Sequence, residues 1–206
     1  MDFTVWMAFV AATLVLLAIP GPTVLLVLSY AIGHGRRVAV STAMGVALGD
    51  FIAMTASLVG LGALVLASAT LFTVLKWVGA AYLIFLGVKL IKGAGGAMIV
   101  NADTTISQRG IFWHACAVTA LNPKSIAFFI AFVPQFITPE AALLPQFAIL
   151  IGTFVGLAGL NALLYAVLAA RMRDVIARPT VIAWLTRLGG GLLICMGVAT
   201  AALRRA

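Results

Sequence analysis

Ile19-Pro20-Gly21-Pro22 is the stretch that decides how this chain folds, because it breaks a helix inside a run that is otherwise apolar over residues 3–32. Prolines lack a backbone N–H, and each carbonyl left unpaired in hydrocarbon costs several kcal/mol. A second break, Leu121-Asn122-Pro123-Lys124, interrupts another apolar run about a hundred residues later. A simple proline kink would explain either break alone. Two breaks at related positions are typical of a substrate site inside a membrane, which is our interpretation.

The composition is that of a polytopic membrane protein. Of the 206 residues, 64% are apolar and only 9% are charged, and the mean hydropathy is +1.21. In a soluble chain the net charge of +8 would suggest nucleic acid, but here the basic residues flank apolar runs, so we expect no such partner. Six runs exceed the roughly 18 to 20 residues that a spanning helix needs. They cover residues 4–32, 38–66, 71–90, 111–136, 144–169 and 181–203.

Basic residues predict the orientation of these runs, because positive charge collects on the cytoplasmic side of a membrane. Most of them fall between the first and second, third and fourth, and fifth and sixth runs: Arg36, Arg37, Lys89, Lys92, Arg109, Arg171, Arg173, Arg178 and Arg187. These connections should therefore face the cytoplasm, and both termini should lie outside. The basic tail Arg204-Arg205 is the one discordant signal.

The longest polar connection, residues 93–108, divides three predicted spans from three. Because three is odd, two related halves would have to be inverted in the membrane, as in many transporters. Gly79 and Gly87 recur as Gly189 and Gly197 at an offset of 110 residues, although glycine is frequent enough in spanning helices for chance to supply part of this. We predict an all-α membrane protein with six transmembrane helices in two inverted three-helix repeats, helices 1 and 4 being broken by proline. Residues 1–206 would form a single transporter domain, its halves 1–92 and 109–206 linked by a cytoplasmic loop, 93–108.

Two charged residues lie well inside predicted spans, Asp50 in the second and Lys124 directly after the second break. A charge at the centre of a span costs about 2.5–3.5 kcal/mol on insertion scales, so each residue is a functional hypothesis. One interpretation is an ion pair that only ties two helices together. The other is a site for a zwitterion, in which Lys124 binds a carboxylate and Asp50 receives an ammonium group or the coupling proton. The second interpretation predicts amino-acid transport.

The residues around the breaks favour an anion site. Asn122 before Pro123 has the order of a helix N-cap followed by proline at the first helical position, and Gly21 before Pro22 begins a second half-helix. Helix N-termini carry partial positive charge and free N–H groups, which suit a carboxylate. We therefore expect two half-helices to point their positive ends into one cavity.

Four further residues inside spans have a polar or a packing interpretation. Tyr82 in the third span and Asn161 in the fifth could each reach the cavity, or could only hydrogen-bond a neighbouring helix. Gly45 and Gly49, four residues apart, form a small face on which another helix can pack closely. Packing is the interpretation that we favour for the glycines, and such faces permit a homodimer without requiring one.

At these residues the chain resembles the lysine exporter (LysE/RhtB) family of homoserine, threonine and other amino-acid efflux proteins. The motifs that carry the resemblance are Pro20-Gly21-Pro22, Gly45 with Gly49-Asp50, Lys76-Trp77-Val78-Gly79-Ala80-Ala81-Tyr82-Leu83 with Gly87, and Asn122-Pro123-Lys124. The resemblance implies a bacterial inner-membrane exporter of small amino acids or close derivatives, driven by proton exchange, with six helices in two inverted halves. It also implies that the site is lined by Pro20, Pro22, Asp50, Asn122, Pro123 and Lys124.

The expected substrate is a neutral amino acid. Asp50 is the one clear acid within a span, and Lys124 already opposes it, so a dibasic substrate would leave a cation unpaired. The expected partners are this amino acid, a coupling proton and the lipid bilayer.

Two other functions use a similar scaffold. An intramembrane thiol carrier would need two cysteines facing each other beside the breaks, and the chain has Cys116 and Cys195 in different spans. A cation or heavy-metal permease would need several carboxylates, cysteines or histidines within the membrane. No metal or other cofactor is implied, and because no nucleophile is paired with a base, we predict no enzymatic activity.

Overall fold

The computed structural model describes residues 1–19, 21–67, 69–93, 106–138, 141–171 and 179–202. Pro20, most of the predicted loop 93–108, and Arg173, Arg178, Arg204 and Arg205 lie outside these ranges. Within them the chain forms helices and no strand. The helices are α1 (Phe3–Ala18), α2 (Pro22–His34), α3 (Ala39–Ala67), α4 (Ala69–Gly93), α5 (Gln108–Ala120), α6 (Pro123–Ala131), α7 (Leu143–Arg171) and α8 (Pro179–Ala202). Short 3-10 turns cover Gly35–Val38 and Val133–Phe136.

Four helical stretches in the described residues are long and apolar enough to cross a membrane: Pro22–Ala63, Thr73–Gly93, Leu143–Ala169 and Ala183–Ala202. The pair α5 and α6, bent by 43°, makes a fifth if it counts as one span. The prediction of an all-helical membrane protein is confirmed. The prediction of six spans is not, because the break divides the first apolar run into α1, which has only 16 residues, and α2, which continues through a 3-10 turn toward α3.

Both predicted breaks separate two helices. Helix α1 ends at Ala18, Ile19 and Gly21 are extended, and α2 starts with Pro22 at its first position. Helix α5 ends at Ala120, and α6 starts at Pro123 after the N-cap Asn122. The predicted half-helix starts at Pro22 and Pro123, and the N-cap role of Asn122, are therefore confirmed.

Glycines let the helices approach each other at the backbone. A Cβ on Gly49 would lie 2.6 Å from the carbonyl oxygen of Cys116 and 2.8 Å from Cβ of Thr119, both on α5. Gly45 contacts the same helix one turn earlier. The packing interpretation of these two glycines is confirmed, and their contact fixes α3, which carries Asp50, against the helix that leads into the second break.

A layer of phenylalanines closes the bundle on the side of the breaks away from Gly93. Phe128 and Phe129, one turn beyond Lys124 on α6, are fully buried, and Phe129 packs edge-on to Phe154 of α7 with ring centroids 4.8 Å apart. We call this group the phenylalanine layer; its other members are Phe9, Phe132 and Phe136. Because aromatic rings fill space densely, this layer packs tightly on one side of the region between the breaks.

Candidate functional site

The last carbonyl groups of α1 lack their usual helical partner four residues on, because the chain breaks there, and Leu16 accepts instead from the N–H of Ile19 at 3.2 Å. Lys124 of α6 bonds two of them. Its Nζ donates to the carbonyl oxygens of Ile19 at 2.8 Å and of Leu16 at 3.1 Å, and the residue is only 6% exposed. A cation at the carboxyl end of a helix is also favoured by the helix dipole. Lys124 therefore stabilises the broken end of α1 directly.

Helix α7 supplies partners for the two carbonyls that remain at this end. Asn161 Nδ2 donates to the carbonyl oxygen of Leu17 at 3.3 Å, and the Tyr165 hydroxyl donates to that of Ala18 at 3.4 Å. The two side chains are four residues apart, so they share one face of the helix. Every carbonyl from Leu16 to Ile19 thus accepts a hydrogen bond from α6 or α7.

The two breaks are hydrogen-bonded to each other. Asn122 accepts from the backbone N–H of Lys124 through Oδ1, and its Nδ2 donates to Oγ1 of Thr23 in the first turn of α2, both at 3.0 Å. Oγ1 of Thr23 also lies 3.3 Å from Oγ1 of Thr119 on α5. The N-termini of the two half-helices, α2 and α6, are consequently held side by side, as the sequence predicts.

Asp50 of α3 faces a small central cavity between the breaks. The residue is 2% exposed, and its Oδ1 makes no hydrogen bond within the described part of the chain. The cavity is also lined by Asn122, Lys124 and Asn161, and its volume is about 30 Å³, room for little more than water. Asp50 and Lys124, both described, form no direct ion pair, because the ammonium group is bonded to carbonyls of α1.

A larger cavity of about 340 Å³ lies on the other side of the breaks, toward the Gly93 end of α4. Its walls come from Pro22, Pro123, and the α4 residues Leu86, Lys89 and Leu90. Asn122 and Lys124 line both cavities. The lysine therefore stands between a space large enough for a small molecule and the smaller space that contains Asp50.

The structure gathers most of the predicted site residues at these two cavities. Gly21, Pro22, Asn122, Pro123 and Lys124 lie at the breaks, Asp50 and Asn161 line the central cavity, and Pro20 is outside the described residues.

Tyr82 is not brought to either cavity. It is 38% exposed and lies against Phe85 on the outer face of α4, because neighbouring Leu83 is fully buried and Gly79 packs on Ala131. Sequence reasoning missed Tyr165 and Thr23. The spacing of four residues between Asn161 and Tyr165 was a signal that could have found the tyrosine.

Removal of the Tyr165 hydroxyl should destabilise the protein slightly. Tyr165→Phe leaves the Ala18 carbonyl without its donor, and we expect a loss of about 0.6 kcal/mol, the typical value for such bonds in membranes. Thermal unfolding of the detergent-solubilised protein measures it. Tyr82→Phe is the matched control, since this exposed hydroxyl makes no hydrogen bond to the described residues. An equal loss in both variants would contradict the capping role of Tyr165.

The cysteines do not face each other. Cys116 is buried on α5, where its backbone contacts Gly45 and Gly49, whereas Cys195 is exposed on α8. Among the described residues no group of three or more His, Cys, Asp or Glu side chains could hold a metal ion. The part of the chain that the structure describes therefore contains a site for neither alternative function.

Comparison with known proteins agrees with the resemblance described above. The family model for the LysE type translocator matches residues 14–203. A homoserine/homoserine lactone efflux protein of Salmonella typhimurium is 35% identical over 206 residues, 100% of both chains. A leucine efflux protein of Salmonella choleraesuis is 34% identical over 137 residues, 66% of this chain and 64% of the relative.

An uncharacterized membrane protein of Vibrio cholerae is 31% identical over 198 residues, 96% of this chain and 97% of the relative. No solved structure matches. The family match spans nearly all of the chain, including both breaks and both buried charges, and it describes translocators rather than enzymes. The chain therefore belongs to the LysE type translocator family.

Proposed function

We propose that this protein is a secondary active transporter that exports small neutral amino acids or close derivatives across the bacterial inner membrane in exchange for protons. The observation that carries the proposal is the pair of buried opposite charges, Asp50 and Lys124, lining one cavity where two helices are broken. The names of two relatives, a homoserine/homoserine lactone efflux protein and a leucine efflux protein, support a neutral amino acid as the exported molecule.

The carboxylate of the substrate binds at the breaks. An ammonium group has three donors, and Lys124 uses two of them on Leu16 and Ile19, so one remains for a substrate. The N-terminus of α2, with Thr23 and Val24 lining the same cavity, adds partial positive charge. Charge-assisted hydrogen bonds of this kind are about twice as strong as neutral ones.

Asp50 is the residue that couples substrate export to proton movement. Its buried, unbonded Oδ1 can accept a hydrogen bond from the substrate ammonium group or take up a proton. A buried carboxylate that alternates between these two partners links the outward movement of substrate to the inward movement of a proton. A cavity of about 30 Å³ is too small for an amino acid, so the bundle must open around Asp50 during transport.

The paired helices α4 and α8 support the inverted repeat. The close contact of Gly87 with Gly190 has a counterpart in the contact of Ala80 with Gly197. Residues 80 and 87 correspond to residues 190 and 197 at the offset of 110 noted in the sequence, so one contact becomes the other when the halves are exchanged. Such exchange is what a two-fold axis in the membrane plane requires.

The orientation belongs to the same proposal. The connections rich in arginine and lysine face the cytoplasm, and both termini face outward. The phenylalanine layer then lies on the outer side of the central cavity and forms the barrier to exit, while the larger cavity lies on the cytoplasmic side.

Uptake into inside-out vesicles tests the proposal. With a proton gradient, wild-type vesicles should accumulate a labelled neutral amino acid such as homoserine or leucine, and an uncoupler should dissipate it. Asp50→Asn should lower the rate about tenfold or more, which corresponds to a transport barrier higher by at least ~1.4 kcal/mol.

The matched control is Asp2→Asn, an exposed acid at the N-cap of α1 that asparagine can replace. Wild-type accumulation that is unchanged by the uncoupler would contradict proton exchange. Unchanged transport by Asp50→Asn would remove Asp50 from the mechanism.

A further inference from the structure

The larger cavity differs in chemistry from the central one. Its described walls are mainly apolar, with Pro22, Leu86, Leu90 and Pro123 facing the space. Its ionisable lining residues are Lys89 and Lys124, and no carboxylate is among the described residues that line it. The cavity therefore combines positive charge with an aliphatic surface.

Its size suits a small molecule. At about 340 Å³ it falls within the range of small-molecule sites, whereas the central cavity of about 30 Å³ does not. Lys89 and Gly93 lie at the end of α4, and Lys124 forms the wall shared with the central cavity. A molecule that enters past Lys89 thus reaches Lys124 before it can reach Asp50.

Two helices that line this cavity, α4 and α8, are held together by backbone contacts next to it. A Cβ on Gly190 of α8 would lie 2.6 Å from the carbonyl oxygen of Gly87, which is next in sequence to Leu86 and two residues before Lys89. Gly189 packs on Ile19 beside the first break. Helices α4 and α8 cannot separate without losing this packing. The cavity is therefore a preformed space rather than a gap between loosely packed helices.

We propose that the larger cavity is an access site that binds neutral amino acids with an aliphatic side chain before they pass Lys124, an inference that rests on the proposed export function. Lys89 and Lys124 attract the carboxylate, Leu86 and Leu90 contact the side chain, and the ammonium group remains toward water at the mouth. A lysine or arginine side chain would meet two like charges here and no acid in the described lining. This site therefore selects against basic amino acids before the central site is reached.

Photolabelling of the full-length protein in inside-out vesicles tests the site. A diazirine analogue of leucine is the probe, and the labelled residues are located by mass spectrometry of peptides. Labels should fall on Leu86, Lys89 or Leu90 or beside Pro22 and Pro123, and excess leucine should compete whereas excess lysine should not.

Two variants should weaken this labelling. Lys89→Gln should raise the leucine concentration for half-maximal competition about tenfold, the effect of losing one charge-assisted bond. Leu86→Trp should abolish the labels by filling the space. The matched controls are Lys92→Gln, at an exposed position one turn further along α4, and Val88→Trp, on the exposed face of the same helix. Both should label like the wild type.

Each outcome separates the access site from the export function. Labels in the cavity without transport of any amino acid would support the site and contradict the proposed function. Intact transport with no label in the cavity would overturn the site and leave export standing. Labelling that added phospholipid prevents but excess leucine does not would also overturn the access site, since the cavity would then be a lipid groove.

Discussion

Replacement of Lys124 by methionine should abolish export and lower the melting temperature by about 5–10 °C. Two hydrogen bonds from an ammonium group disappear, at about 1.5–3 kcal/mol for each bond, which leaves the Ile19 carbonyl unpaired and the Leu16 carbonyl with only the backbone N–H of Ile19. Loss of the buried charge also removes its desolvation cost, which offsets part of this destabilisation. We therefore expect the free energy of unfolding to fall by about 2–3 kcal/mol. Each kcal/mol corresponds to about 2–4 °C in the melting temperature of a chain of this length.

Two measurements on the same preparation test this. Thermal unfolding in detergent reports the stability, and uptake into inside-out vesicles reports transport. Lys92→Met is the control, because this exposed lysine near the end of α4 should change neither. If Lys124→Met unfolded at the wild-type temperature, the bonds to α1 would not be stabilising. If it also transported normally, Lys124 would have no part in the site.

Substitution of Gly49 by alanine should have a comparable effect for a different reason. The added methyl group would lie 2.6 Å from the Cys116 carbonyl oxygen and 2.8 Å from Cβ of Thr119. These atoms belong to the backbone or lie next to it, so α3 and α5 must separate, at about 1–3 kcal/mol. Because Thr119 bonds Thr23 and Asn122 follows on the same segment, transport should fall as well.

Gly60→Ala provides the control on the same helix. A Cβ on Gly60 would meet nothing within 4 Å, so this variant should unfold at or slightly above the wild-type temperature. Unfolding curves of the two alanine variants, recorded in the same detergent, distinguish crowding from a general effect of alanine. Equal stability of both variants would contradict the close contact between α3 and α5.

The sequence was sufficient to predict the features that proline, glycine and asparagine determine locally. The helix starts at Pro22 and Pro123 follow from the missing N–H and the fixed φ of proline, and Asn122 is a cap by its position. The glycine face of α3 follows from a spacing of four residues. None of these depends on how distant helices meet.

Features that depend on the meeting of distant helices could not be predicted. The side chain of Lys124 is long and flexible. Its ammonium group bonds the α1 carbonyls rather than Asp50 because of where the end of α1 lies in the folded protein. In the sequence, only the spacing of four residues from Asn161 distinguishes Tyr165 from Tyr82, because α4 and α7 are mostly apolar and their hydrophobic pattern does not mark the inner face. The number of spans stays a prediction, because the length of an apolar run does not reveal how a short helix beside a break, such as the 16 residues of α1, lies relative to the membrane.

The bonds that complete α1 impose an order on biosynthesis. The lysine that pairs with Leu16 is 108 residues further along the chain, and the tyrosine that pairs with Ala18 is 147 residues further. At about 5–20 residues per second, the ribosome needs on the order of 5–30 s to supply these donors after α1 has emerged. During this interval the first helix has open carbonyls and must stay in contact with water, lipid headgroups or the insertion machinery. The earliest segment to be made is thus among the last to reach its final place in the bilayer.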